Sequence, residues 1–250
     1  MKSNRIIINA DDCGYSNYVN SEIERAIIEG RITSTTIMAN MSDFDGAIEL
    51  YKKYSTSISF GWHINLTEGR PLTYSQILLD KGFFKETSEG IVFNGLEFWK
   101  KNPSREMYND IKKELICQYE KIKDSGVCIS HVDSHQHIHT CPGLYLLFPS
   151  LLRELGIQKC RRLRNNVPSL VNRTIRTLWA IPFRARGIKM TDYFCSFKDF
   201  YLHSSIPQGK TVELMCHPGH PGQLYREEVE LLYNVDLRSF NSDLISYVQL

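Results

Sequence analysis

Apolar and polar positions along this chain follow two periods, and the switches between them lay out its elements. Residues 6–9 form an apolar run closed by Asn9, which predicts a strand buried on both faces of a parallel sheet. Ser16 can cap a helix reaching Glu29, with Ile23, Ala26 and Ile27 on one side and Gly30 as its stop. Residues 35–38 read as a second strand, 44–54 as a second helix and 57–64 as a third strand. From about Asn65 to Pro103 the pattern breaks. Gly69, Pro71, Gly82, Gly90 and Gly95 interrupt any long element there, as in a lid or a binding insertion. Ser104 then caps an amphipathic helix to Ser125, closed by Gly126; 127–133 gives a fourth strand and 143–155 a fourth helix, stopped by Gly156. Fainter strands fall at 159–163, 193–197 and 211–216, with helical segments near 169–181 and 227–233.

Strand and helix in alternation predict a parallel sheet with right-handed crossovers. No linker, repeat or low-complexity tract divides the 250 residues, so one α/β domain over 1–250 is expected, a length that α/β barrels commonly reach. Composition adds exclusions. With 42% hydrophobic and 23% charged residues the chain can build a sizeable core, and a formal charge of +2 points to no nucleic-acid partner. The N-terminal apolar run is too short for a secretory signal. The most apolar stretch, 143–152, is half the roughly 20 residues a spanning helix needs and contains Pro149. Seven cysteines without a CxxC pair fit reduced thiols, hence a soluble protein of the cytoplasm, and argue against a cysteine zinc site.

The informative pattern lies at the ends of the strands. Asp11-Asp12 comes after the first, Gly61-Trp62-His63 ends the third, His131-Val132-Asp133-Ser134-His135 ends the fourth, and His217-Pro218-Gly219-His220 comes after the last. In α/β sheets and barrels that C-terminal edge is where sites are assembled. His131, Asp133, His135, His137 and His139 occupy alternate positions and, if extended, would share one face. Five such groups would span about 27 Å, too far for one ion to take them all. Asp12 with two histidines would hold a divalent cation and leave positions open for water and substrate, while the neighbouring carboxylate is close enough to serve as a base. Magnesium or zinc heads the candidates, with manganese, cobalt and nickel also compatible.

These blocks, together with Ile32-Thr33-Ser34-Thr35-Thr36, resemble the signature blocks of the YdjC-like carbohydrate deacetylases, a family that includes chitooligosaccharide deacetylases. They occur in family order over nearly the whole chain. The resemblance implies a (β/α) barrel, incomplete or distorted, with an irregular insertion around 65–103, and a metal-dependent hydrolase that removes the acetyl group from N-acetylated sugars. It implies Asp12, His63 and His135 as metal ligands, Asp11 as base and His217 as acid. Cys13 departs from the aromatic residue many members carry there. Asp133, His137, His139 and Trp62 are candidates for orienting ligands or touching substrate; Trp62 could equally be packing. Phe83, Phe84, Phe98 and Trp99 are candidates for a substrate wall.

Nine lysines and arginines and no acid lie between Lys159 and Lys189, Arg161, Arg162 and Arg164 among them. They predict a solvated basic face or one that attracts an anionic substrate. Two other readings compete. His137-Ile138-His139 resembles the His-x-His of amidohydrolase barrels, although that pair comes after the first strand there. A non-catalytic sugar-binding relative is the other. An acetylated small-molecule sugar is the expected partner; a homodimer is left open.

Overall fold

The computed structural model describes residues 3–99, 103–166, 170–203, 206–220 and 222–250. Strands β1 (Asn4–Cys13), β2 (Ser34–Ile37) and β3 (Ser59–Ile64) alternate with helices α1 (Asn17–Ile28) and α2 (Phe44–Tyr54). The insertion carries α3 (Gln76–Asp80), the hairpin β4 (Phe84–Thr87) and β5 (Gly90–Phe93), and α4 (Leu96–Trp99), before the long helix α5 (Arg105–Asp124). Next come β6 (Val132–Ser134), α6 (Leu147–Glu154), α7 (Leu170–Leu178), α8 (Ile181–Arg184) and β7 (Tyr193–Ser196). The chain ends with α9 (Phe197–His203), β8 (Thr211–Cys216), α10 (Gln223–Asn234) and β9 (Ser242–Leu244).

One parallel sheet runs in the order β6-β3-β2-β1-β8-β7. β9 pairs with the first residues of β1, from Asn4 to Ile6, while β2 takes the last, from Asn9 to Cys13. The expected strand at 159–163 is reduced to isolated bridges, Val132 with Cys160 and Lys159 with Lys189. That segment bonds β6 on one side and reaches β7 on the other, where Asn165 N–H donates to the Phe194 carbonyl. The sheet is therefore curled upon itself, short of a regular eight-stranded barrel. Among the described residues no helix is long and apolar enough to cross a membrane.

The two faces of the sheet bury opposite chemistries. Ile6, Ile8 and Ala10 of β1, Phe60, Trp62 and Ile64 of β3, and Val132 of β6 join the main hydrophobic cluster under the helices. α1 contributes Val19, Ile23, Ala26 and Ile27 to that cluster, and its first turn is fixed by Ser16, whose hydroxyl accepts from the Val19 N–H. The alternate residues line the concave side: Asn9, Thr36, His63, Asp133 and Glu213, all buried and polar. The lower end of that side is closed by a small apolar plug of Ile7, Ile245 and Tyr247.

The insertion is pinned rather than loose. Glu114 on α5, fully buried, accepts from the backbone N–H of Leu72 at 3.1 Å and of Thr73 at 2.7 Å. Trp99 is fully buried and donates to the Leu66 carbonyl, with Phe83 edge-on to its ring, while Phe84 packs on Phe93. These aromatics join the main hydrophobic cluster and are buried packing, not a substrate wall, which gives the two-stranded hairpin the apolar surface it needs. The Phe98 side chain and Ser169 lie outside the described residues.

Candidate metal centre

Two neighbouring aspartates on a regular strand would point to opposite faces. Here the pairing of β1 with β2 shifts register between Ala10 and Cys13, and Asp12 adopts a left-handed backbone, φ 69°. Such a conformation costs a non-glycine residue about 1 kcal/mol or more, and it brings both carboxylates to the concave side. The second distortion comes directly after β6. Instead of staying extended, the chain turns at His135 into a short 3-10 segment, with Gln136 and His137 both left-handed at φ 50° and 55°. The alternating run at 131–139 is thus broken after Ser134, and its five members separate. His131 stacks on Tyr247 at the closed end, ring centroids 3.6 Å apart. Asp133 and His135 reach the cluster around Asp12. His137 is half-buried, edge-on to Phe194, and His139 folds back onto the Ser134 hydroxyl at 2.5 Å. Trp62 is fully buried on the convex side against Tyr119, so it is packing and not a sugar platform.

The cluster centres on Asp12. Its Oδ1 lies 3.1 Å from His63 Nε2 and 2.8 Å from His135 Nδ1. One ligand atom from each of Asp12, His63 and His135 falls within 4.8 Å of the others, all three residues buried. His63 is oriented from behind, since its Nδ1 lies 2.6 Å from Asp133 Oδ1 and 3.1 Å from the Thr36 hydroxyl. The nitrogens that face Asp12 are thus Nε2 of His63 and Nδ1 of His135, and the far nitrogen of His135, Nε2, lies 3.2 Å from Glu68 Oε1. Two buried imidazole nitrogens converging on one carboxylate, with Asp133 and Glu68 bracing the rings from behind, match the donor set and outer support of a divalent-metal site. Burial alone would push both imidazoles down, but Asp133 and Asp12 outweigh it, raising His63 to about 10 and His135, through Asp12 and Glu68, to about 9. A second triad, Asp11 with His63 and Asp133, has similar spacing. Its cation is already supplied: Arg161 Nη1 lies 2.6 Å from Asp11 and 2.8 Å from Asp133.

Asp11 faces the same space without touching the three. Arg161 grips it through both guanidinium nitrogens, at 2.6 and 2.7 Å, and Asn9 donates to Oδ1 at 2.9 Å. Burial opposes its ionisation, yet the Arg161 charge prevails and holds the carboxyl far below its ordinary range. His217, in the turn after β8, places Nε2 3.9 Å from Asp11 Oδ2, too far for a hydrogen bond and close enough to share a reacting group. Its Nδ1 is held at 3.0 Å by Glu228 of α10. Burial lowers the imidazole's proton affinity, but the bond to Glu228 and the charge of Asp11 raise it overall.

Three residues that brace the cluster, Arg161, Glu68 and Glu228, are given no place in the site by a sequence-only reading. Arg161 and Arg162 are fully buried, which corrects the expectation of a solvated basic face there. Arg161 bonds Glu213 at 2.6 Å, and Glu213 accepts from the Tyr247 hydroxyl. The rule that strands end in chemistry would have flagged Arg161 had its strand been regular. Glu68 lies in the insertion, its Oε1 3.2 Å from His135 Nε2; Asn65 and Asn40 hold its backbone. Glu228 sits in the middle of an ordinary amphipathic helix, where no signal marks it.

Residues 5–242 match the family model described as YdjC-like protein. A carbohydrate deacetylase of Geobacillus stearothermophilus is 32% identical over 226 residues, covering 86% of this chain and 79% of its own. A chitooligosaccharide deacetylase of Yersinia enterocolitica is 32% identical over 219 residues, covering 85% and 81%. Among solved structures, a proposed cellobiose-phosphate cleavage protein of Enterococcus faecalis superposes with a TM-score of 0.74 at 20% identity, over 99% of both chains, a likeness of fold alone. On the span and order of these matches, the chain belongs to the YdjC-like protein family.

Proposed function

We propose that residues 1–250 form one metal-dependent carbohydrate deacetylase, which hydrolyses the acetamide of an N-acetylated sugar to a free amine and acetate. The observation that carries this reading is the buried Asp12, His63 and His135 cluster with Asp11 and His217 facing the same space. The substrate class comes from the relatives, named as carbohydrate and chitooligosaccharide deacetylases. Two imidazoles against one carboxylate favour zinc or another transition ion over magnesium. Such an ion, when bound, polarises the acetamide carbonyl and makes water acidic enough to attack it near neutral pH.

The chain's own groups then move the protons. Asp11 is kept anionic by Arg161, and Oδ2 keeps a lone pair free to accept the proton that water loses on attack. Arg161 also fixes the carboxylate plane, so the base does not rotate away. His217 is favoured in its protonated form and delivers a proton from Nε2 to the sugar nitrogen as the C–N bond breaks. Glu228 holds the opposite nitrogen and fixes the ring's direction. The buried Arg161 and Arg162 offer no charge to an anionic substrate, and Arg164 is paired with Asp199. With seven cysteines and no CxxC motif, we place the protein in the cytoplasm.

The test is acetate release from N-acetylglucosamine and N,N′-diacetylchitobiose by chain stripped with chelator and reloaded one ion at a time. Activity should vanish on stripping and return with zinc or a neighbouring transition ion. Asp11→Asn should lower kcat by about 100-fold or more while metal affinity, read by calorimetry, stays within a few-fold. Metal binding without acetate release from either sugar would favour the non-catalytic or amidohydrolase reading.

A further inference from the structure

The concave side holds one ionic group that the proposed reaction leaves idle. Glu213 lies on β8, fully buried, in register with Ile7 of β1 and Phe194 of β7. Its Oε1 takes Arg161 Nε at 2.6 Å, the one guanidinium nitrogen that Asp11 leaves free. Its Oε2 accepts from the Tyr247 hydroxyl. Tyr247 is itself fixed, since its N–H donates to Ser59 Oγ at 3.1 Å and its carbonyl accepts from Lys159 Nζ.

Three buried carboxylates thus share one arginine, and their support is unequal. Asp11 takes both terminal guanidinium nitrogens and the Asn9 amide. Asp133 takes Arg161 Nη1 at 2.8 Å and the Thr36 hydroxyl at 3.1 Å, with His63 Nδ1 at 2.6 Å. Glu213 has one guanidinium nitrogen and one phenol. In a sealed space the least supported carboxylate is the first to give up its charge. Burial accordingly pushes Glu213 up to about 7. The other titratable groups around it stay neutral there. Burial pushes the Cys160 and Cys195 thiols and the Tyr247 phenol up, and the His131 ring, stacked on Tyr247, down.

We infer that Glu213 is a positioning residue for Asp11, acting through Arg161 and tied to the fold by Tyr247. The inference rests on the deacetylase reading, in which Asp11 is the base. An ionised Glu213 offsets part of the guanidinium charge at Nε, so less of it bears on Asp11 and the base keeps its pull on the water proton. With Glu213 protonated, Arg161 bears on Asp11 and Asp133 alone, and the base weakens.

The test compares kcat of metal-loaded wild type and Glu213→Gln on N-acetylglucosamine and N,N′-diacetylchitobiose from pH 5.5 to 9. The glutamine amide can still accept from Arg161 and donate to Tyr247. Above pH 8 wild type should be about 10-fold faster at unchanged KM. Towards pH 5.5 the two should converge, because wild type then carries a neutral carboxyl as well. The ratio of the two profiles cancels every limb they share. Tyr247→Phe keeps the ring on His131 and removes one donor from the carboxylate. It should match wild type at pH 9 and at pH 5.5 and fall below it only in between, which decides the matter even where Glu213→Gln does not fold. A second readout needs neither metal nor turnover. In the metal-free chain the ¹³C signal of the Asp11 carboxyl, assigned by its loss in Asp11→Asn, should shift through an inflection near pH 7 that Glu213→Gln abolishes and Tyr247→Phe moves upward. A kcat ratio that is the same at every pH, a change confined to KM, or an Asp11 signal with the same inflection in all three proteins overturns the inference. The expected inflections with no acetate released from any sugar would instead overturn the deacetylase reading and leave the coupling of Glu213 to Asp11 standing.

Discussion

Single residues in this cluster stand in pairs, one facing the candidate ion site and one bracing it from behind. Asp133 braces His63 through Nδ1, and Glu68 stands in the same relation to His135, 3.2 Å from its Nε2. Outer carboxylates of this kind typically contribute 10–100-fold to metal affinity. Glu68→Gln should therefore weaken zinc binding about 10-fold, measured by competition with a chromophoric chelator, while the far-UV spectrum of the chain is unchanged. Unaltered affinity would reduce Glu68 to a loop anchor for Tyr15 and Gln136. The inner residues were legible in the sequence because they sit at strand ends: Asp11, Asp12, His63, His135 and His217 all face one space. Their braces were not. Whether Glu68 meets His135 depends on two left-handed residues, Gln136 and His137, that no propensity would place there.

At the scale of elements, the strands with clean apolar runs were predictable to within a few residues, β1, β2, β3 and β8 among them. β6 was overdrawn at its start: residues 127–131 precede the paired strand Val132–Ser134, although the Ser130 N–H already donates to the Phe60 carbonyl of β3. β9, Ser-Asp-Leu, carries no apolar signature and exists only because Asn4–Ile6 of β1 lack a partner on that side. Glycine in β3 has a reason that the pattern hinted at without explaining. A Cβ on Gly61 would lie 2.5 Å from the His131 ring and 2.7 Å from the His131 carbonyl, so β3 and β6 can approach only where position 61 is bare. Gly61→Ala should cost about 3 kcal/mol in urea unfolding and lower metal affinity by displacing His63 two residues on. A change below about 0.5 kcal/mol would mean that the two strands separate at little cost.

For the molecule as a whole, the distinguishing feature is a concave interior that is ionic where most barrels are filled with branched apolar side chains. Arg161 stands among Asp11, Asp133 and Glu213, sealed below by Tyr247. Glu213 shows the strain of that sealing: burial pushes its carboxyl up to about 7 even against the Arg161 charge. Truncating a single partner would leave a buried charge undercompensated, whereas an isosteric Asp-to-Asn exchange keeps its place filled and leaves Arg161 two carboxylates. Composition could not reveal this, because a net charge of +2 is silent about where the charges are.

The raised histidines carry that ionic balance into solution behaviour. In the metal-free chain His63 and His135 stabilise the fold fully below pH 6.5, and that contribution drains away as pH rises through about 9 and about 10. Loading the site at pH 7 must then expel two protons for each dication admitted, leaving the cavity's total charge unaltered. Calorimetric titrations in buffers of different ionisation heat should count about two protons released, and a fall of one pH unit should weaken the hold about 100-fold. Heats independent of buffer would refute the exchange. Acidification, more than any chelator, is then the gentlest way to empty this enzyme.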